Sequence, residues 1–228
     1  PGDLGVFVDE EQISNLEARM EKQGFLDAGT MSMTFNLLRA NDLIWSFVVN
    51  NYLLGREPFP FDILYWNADS TNMPAAMQSF YLRNMYRDNK LCRPNGITIN
   101  ETPIDVRKIK VPSYFISTKE DHIAPWTSAY MATQIYDGPV KFTLADSGHI
   151  AGVVNHPGKN KYCWWDNTKF PPKPGDWFND AKRHEGSWWD NWNSWLKQFA
   201  GKKVAARTLG NKKYKAIEAA PGSYAKVR

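Results

Sequence analysis

Cysteine is almost absent from this chain of 228 residues: Cys92 and Cys163 are the only two and lie far apart. That excludes a disulfide framework and fits a reducing compartment. No stretch approaches the ~20 consecutive apolar residues of a membrane-spanning helix, and no signal peptide is visible at the start. Histidine is scarce at four residues, and no His or Cys pair has the local spacing of a zinc site, so no metal is expected. Internal repeats and low-complexity segments are absent too. One further pattern is missing. No Ser or Cys has glycines two residues to either side, the arrangement a nucleophile needs on a tight strand-to-helix turn.

Aromatic residues are plentiful, with 10 Trp, 10 Tyr and 12 Phe, so the chain has ample apolar surface for one domain, or one domain plus a lid. The net charge of +4 is uneven. From Gly201 to Arg228 eight Lys or Arg face one Glu, which leaves the remainder acidic. Such a tail is a solvated extension or is drawn to an anionic ligand or surface. No nucleic-acid-binding motif surrounds its lysines, so nucleic acid is not an expected partner.

The most informative stretch runs from Val111 to Val153. Val111–Ser117 and Lys141–Ala145 are apolar runs of strand type. Between them Trp126, Ala129, Tyr130 and Thr133 fall on one helical face. A strand, a crossover helix and a second strand predict a βαβ unit with parallel strands, whose following loops share one edge of the sheet. Asp121 follows the first strand and His149 the second, 28 residues later. An acid and then a histidine on loops after consecutive parallel strands is how α/β-hydrolases end their catalytic triad. Glu120 and Asp146 are rival acids and His122 a rival base. Gly148 and Gly152 around His149 predict a sharp loop that projects the imidazole into a cleft. His156 and His184 have no partner pattern.

Elsewhere Asp9 and Gln12 predict a capped helix carrying Ile13, Leu16 and Met20. A helix from Asn41 is apolar almost all round and so is expected to be buried, under a neighbour or a second subunit. Phe61–Trp66 reads as a strand, residues 67–72 as a polar loop, and Met77, Phe80, Tyr81, Leu82, Met85 and Tyr86 as an apolar helical stripe belonging to the core. Ile97–Asn100 reads as a short strand. Trp188, Trp192, Trp195 and Phe199 form the aromatic seam of a helix that packs on the sheet. The expected class is therefore α/β: the C-terminal portion of an α/β-hydrolase fold with a mainly helical cap. Residues 1–60 are read as cap or lid, 61–200 as the core portion with the acid and histidine loops, and 201–228 as the basic tail. The start at Pro1 and the lack of a nucleophile predict a part of a longer protein.

Several stretches carry a family resemblance. Lys119-Glu120-Asp121-His122-Ile123-Ala124-Pro125-Trp126 and Ser147-Gly148-His149-Ile150-Ala151-Gly152 resemble the acid and histidine motifs of poly(3-hydroxyalkanoate) synthases. Asn41-Asp42-Leu43-Ile44-Trp45, residues 65–74, Gly186-Ser187-Trp188-Trp189 and residues 214–224 are similar to the same family, the last to its class I branch. The family's Gly-x-Cys-x-Gly box has no counterpart here.

The resemblance implies an acyltransferase in which a cysteine outside this chain attacks an (R)-3-hydroxyacyl-CoA thioester and carries the growing polyester. It implies His149 as the base, Asp121 as its partner or as a second activator of the 3-hydroxyl group, and Trp66 and His122 as residues along the substrate path. No cofactor is implied, the CoA thioester being substrate. The expected partners are that thioester, the polymer granule, and a second copy joined through a cap extending to about Asn95. The expected location is cytoplasmic, at granules. An esterase or polyester depolymerase of the same fold, and a non-catalytic dimerisation or granule-binding module, are the alternatives.

Overall fold

A computed structural model describes residue 5 and residues 8–38, 40–58, 60, 69–220 and 222–223. The chain divides into two compact units, residues 1–88 with 204–228, and residues 89–203.

In the first unit α1 spans Glu10–Gln23. Asp9 caps it: one carboxylate oxygen accepts from the Gln12 backbone N–H at 2.8 Å, satisfying one free amide of the first turn, and the other accepts from the Gln12 side-chain amide at 2.9 Å. Gly24, in the left-handed region at φ 83°, ends the helix. The short strand β1, Phe25–Leu26, pairs antiparallel with β2, Met73–Pro74. Between them lie α2, Ala28–Leu38, and a helix wound in π-geometry over Asn41–Trp45 and Val48–Leu53. The strand expected at Phe61–Trp66 lies outside the described residues.

After β2, α3 (Ala75–Phe80) continues as a π-helical segment, Tyr81–Arg87. The predicted stripe there is divided. Leu82 is buried with Val8 and Ile13, and Tyr86 packs beside them. Met77 and Tyr81 are exposed, and with Leu16, Leu26, Met31 and Phe35 they line a cavity of about 650 Å³. A charged lattice ties this segment to α1. Arg83 donates to both oxygens of Glu17 and to Glu10, Ser79 donates to Glu17, and Arg87 pairs with Glu10.

Of the two covers expected for the helix from Asn41, a neighbour in the chain or a second subunit, the first is not found among the described residues. The apolar side chains of the helix face solvent, with Trp45 57%, Phe47 58% and Tyr52 84% exposed. An apolar circumference shows that a helix needs covering, and no described residue of this chain covers these side chains.

The second unit opens with a hairpin of β3 (Ile97–Ile99) and β4 (Thr102–Ile104), turned by Asn100 and Glu101 at positive φ. Its centre is a four-stranded sheet in the order β5 (Ser113–Thr118), β6 (Val140–Ala145), β7 (Cys163–Asp166), β8 (Lys182–Glu185). β5 and β6 are parallel, as the βαβ reading requires, and start in step at Ser113 and Val140. The crossover carries two short helices, α4 (Trp126–Tyr130) and α5 (Ala132–Ile135), rather than one. β7 and β8 are antiparallel additions that the sequence reading did not contain.

Side chains alternate across the sheet as the pleat demands. Phe142, Leu144, Cys163 and Trp165 point to one face, where Tyr130 and Trp177 complete a buried cluster. Trp177 belongs to α6, Pro174–Asn179, which begins within the proline-rich loop. Ala145 and Trp164 point to the other face, where Trp188 joins them at the start of α7, Trp189–Leu196. Tyr114 stacks on Trp188 and bonds Thr143 and Asn191, so the aromatic helix does pack on the sheet. Burial, opposed by the Thr143 bond and aided by the Asp166 charge, pushes the Tyr114 phenol up to about 12.

Candidate active site

The two loops with the predicted residues leave β5 and β6 side by side, and the parallel register brings both to one edge. Their first residues remain tied after the strands end. Lys119 N–H donates to Ala145 O at 2.8 Å and Glu120 N–H to Ser147 O at 3.0 Å. Across this junction His149 Nδ1 meets Asp121 Oδ2 at 2.7 Å. The Asp121 side chain is nearly buried and the His149 ring half exposed.

The other oxygen of Asp121 accepts from the backbone N–H groups of Ile123 and Ala124, both at 2.9 Å. Burial opposes ionisation of this carboxyl, but the Ala124 amide, His149 and the Ile123 amide together outweigh it and hold it below the usual carboxylate range. An ionised Asp121 is an acceptor only, so His149 Nδ1 carries the proton that it donates. That fixes the tautomer and leaves Nε2 with a free lone pair. The arrangement is that of an oriented general base.

The rival residues go elsewhere. Asp146 accepts from the Cys163 thiol at 3.5 Å, Glu120 is exposed, and His122 is half-buried without a hydrogen bond among the described residues. Trp66 lies outside the described residues. His156 accepts from the Gly158 amide, and His184 bonds Asp166 at 2.9 Å while stacked on Trp164. Neither cysteine is hydrogen-bonded to His149. The Cys163 thiol is pushed up by burial and by the nearby Asp146 carboxylate, and Cys92 donates to Asn89 O. Among the described residues no cluster of His, Cys, Asp and Glu is arranged to hold a metal ion, and no helix is long and apolar enough to cross a membrane.

The sequence reading did not include the two amides that fix Asp121. Their signal was present in Asp121 itself, since an Asp side chain entering a turn commonly bonds backbone amides a few residues on. It also left the Gly186-Ser187-Trp188-Trp189 turn without a contact, whereas both indoles reach the histidine loop at Val153.

An open, mixed sheet with helices on its faces, and a hydrogen-bonded acid–imidazole pair on the loops after its two parallel strands, define an α/β protein with a candidate site at that edge. Known proteins place it more closely. No protein-family model matches the chain. It is 48% identical over 227 residues to the poly(3-hydroxyalkanoate) polymerase subunit PhaC of Rhizobium etli, covering all of this chain and 36% of that one. It is 44% identical over 233 residues to the PhaC subunit of Cupriavidus necator, covering 100% and 40% respectively. The poly(3-hydroxyalkanoate) polymerase of Methylorubrum extorquens is 46% identical over 228 residues, with 100% and 38% covered. Over its full length the chain is a homologue of the PhaC-like poly(3-hydroxyalkanoate) polymerases, and it spans about two-fifths of their length.

Proposed function

We propose that this chain supplies the acid and base of a poly(3-hydroxyalkanoate) polymerase on an α/β-hydrolase fold, acting on (R)-3-hydroxyacyl-CoA. The observation that carries the reading is the His149–Asp121 bond of 2.7 Å, with Nδ1 engaged and Nε2 left as base. The nucleophile is a cysteine outside the chain. His149 Nε2 takes the thiol proton as sulfur attacks the thioester carbonyl; the carbon–sulfur bond to CoA then breaks and His149 returns the proton to the departing thiolate. In the second half His149, held by Asp121, takes the proton of a 3-hydroxyl group, whose oxygen attacks the acyl-enzyme carbonyl; the acyl carbon–sulfur bond breaks, His149 returns the proton to the cysteine thiolate, and the chain is longer by one ester. The CoA thioester is substrate, the polymer and free CoA are products, and no cofactor is needed. Trp66 and His122 are assigned to the substrate path. The protein works as a homodimer through its cap, at cytoplasmic polymer granules. The class I assignment rests on residues 214–224.

Such chemistry requires water to be excluded from the acyl-enzyme. The helical unit, rich in Met and aromatic residues, is suited to that as a cap. The test is CoA release from 3-hydroxybutyryl-CoA by the complete gene product. His149→Ala is expected to lower kcat by roughly 10²-fold or more, and an unchanged rate would overturn the assignment.

A further inference from the structure

The loop carrying His149 is built to end on one carbonyl. Ser147 enters it at φ 72°, and Gly152, Val153 and Val154 then donate to Gly148 and Ile150, closing a helical turn. A turn of this kind leaves its last carbonyls without an internal partner. Val153 O is such a group, and it accepts two hydrogen bonds: from Trp188 Nε1 at 3.1 Å and from Trp189 Nε1 at 2.8 Å. Consecutive indoles thus converge on one oxygen and fill both of its lone pairs.

The two rings are themselves fixed. Trp188 is buried and stacked on Tyr114, and Trp189 meets the edge of His156. The turn before them is locked from the loop's far end, where buried Asn155 donates to Lys161 O at 2.7 Å and to Gly186 O at 3.5 Å. The Trp189 amide donates to Ser187 Oγ at 3.1 Å.

We propose that Trp188 and Trp189 are positioning residues for His149: through Val153 they hold the turn that keeps Nδ1 within bonding distance of Asp121. Neither touches a reacting atom. A loop of two glycines, four residues off a strand end, has little side-chain packing of its own, and a displacement of about 1 Å at a base lowers a rate by as much as 10²-fold. The inference rests on the reading of His149 as the base, yet its geometric part is measurable without turnover.

The experiment uses the complete gene product with Trp188→Phe, Trp189→Phe and both together. Phe keeps a ring for packing but removes the N–H. Each single variant leaves one indole on Val153 O and is expected to lower kcat about 3-fold, whereas the double variant loses ten-fold or more, with KM unchanged. In parallel, the His149 Nδ1–H proton is followed by NMR; its hydrogen-bonded signal is expected to move upfield in the double variant. Trp192→Phe, which removes an indole with no bond to this loop, is expected to change neither readout.

A double variant that retains kcat and the Nδ1–H signal would overturn the clamp while leaving the proposed function standing. If His149→Ala were fully active, the function would fall, and the NMR shift would still decide the clamp. Should the double variant not fold, the Nδ1–H signal of Trp189→Phe, the half-buried indole with the shorter bond, decides: an unmoved signal overturns the proposal.

Discussion

At Gly152 the absence of a side chain is a requirement of contact. A Cβ there would lie 2.2 Å from Asp146 O and 2.6 Å from Thr118 Cγ2, so the histidine loop rests directly on the strand that leads to Asp121. At Gly148 a Cβ would meet nothing within 4 Å, and the residue with positive φ in this loop is its neighbour Ser147. The two glycines that look alike in sequence therefore differ. Gly152→Ala is expected to lower both kcat and Tm in the complete protein, while Gly148→Ala leaves both close to the parent; equal Tm values for the two would refute the distinction. Asp121 and His149 were legible because acid and histidine each follow a strand-like run. The steric role of Gly152 was not, since it depends on where Thr118 lies, and spacing along the chain does not carry that.

Among elements, α1 shows how far local signals reach. Asp9, Gln12 and Gly24 announced its ends, and the structure places caps at both. What α1 binds was not announced: Glu17 meets Ser79 and Arg83 more than 60 residues away in sequence. The bond from Arg83, with that from Ser79, lowers the Glu17 carboxyl from 4.5 to about 2. A depressed acid contributes stability that is complete above the unfolded value and fades as pH falls through the folded one. The urea midpoint of Glu17→Gln is therefore expected to fall below that of the parent at pH 7, the gap closing as pH drops from 4.5 toward 2; a gap independent of pH would count against the pairing. β7 and β8 escaped the sequence reading for a physical reason. Cys-Trp-Trp-Asp is buried on both faces and Lys-Arg-His-Glu on neither, so neither run alternates. Trp177, wholly buried between Tyr130 and Phe142, is where the core of this unit is most exposed to damage, and Trp177→Ala is expected to cost about 3–5 kcal/mol in chemical denaturation.

For the molecule as a whole, the helix from Asn41 was legible as apolar, but which of its two expected covers it takes was not, because sequence reports what a face is made of and not what meets it. Its exposed Trp45, Phe47, Tyr52 and Leu53 fit the proposed homodimer contact. Sedimentation velocity of Tyr52→Glu with Leu53→Glu is expected to show monomer where the parent shows dimer, and an unchanged mass would place the contact elsewhere. The basic tail, exposed from Gly201 to Ala220, is visible in sequence as charge alone. The sheet's two margins differ in the same spirit. β8 presents Lys182, Arg183 and Glu185 to solvent, the charged character that discourages a further strand from adding. β5, with a ladder to β6 alone among the described residues, has no charge between Ser113 and Thr118. Along its other side run amides and carbonyls that invite pairing in register. Handled by itself at high concentration, this chain would meet its own copies through that margin, and its solubility would then be set by a strand whose other end leads into the Asp121 loop.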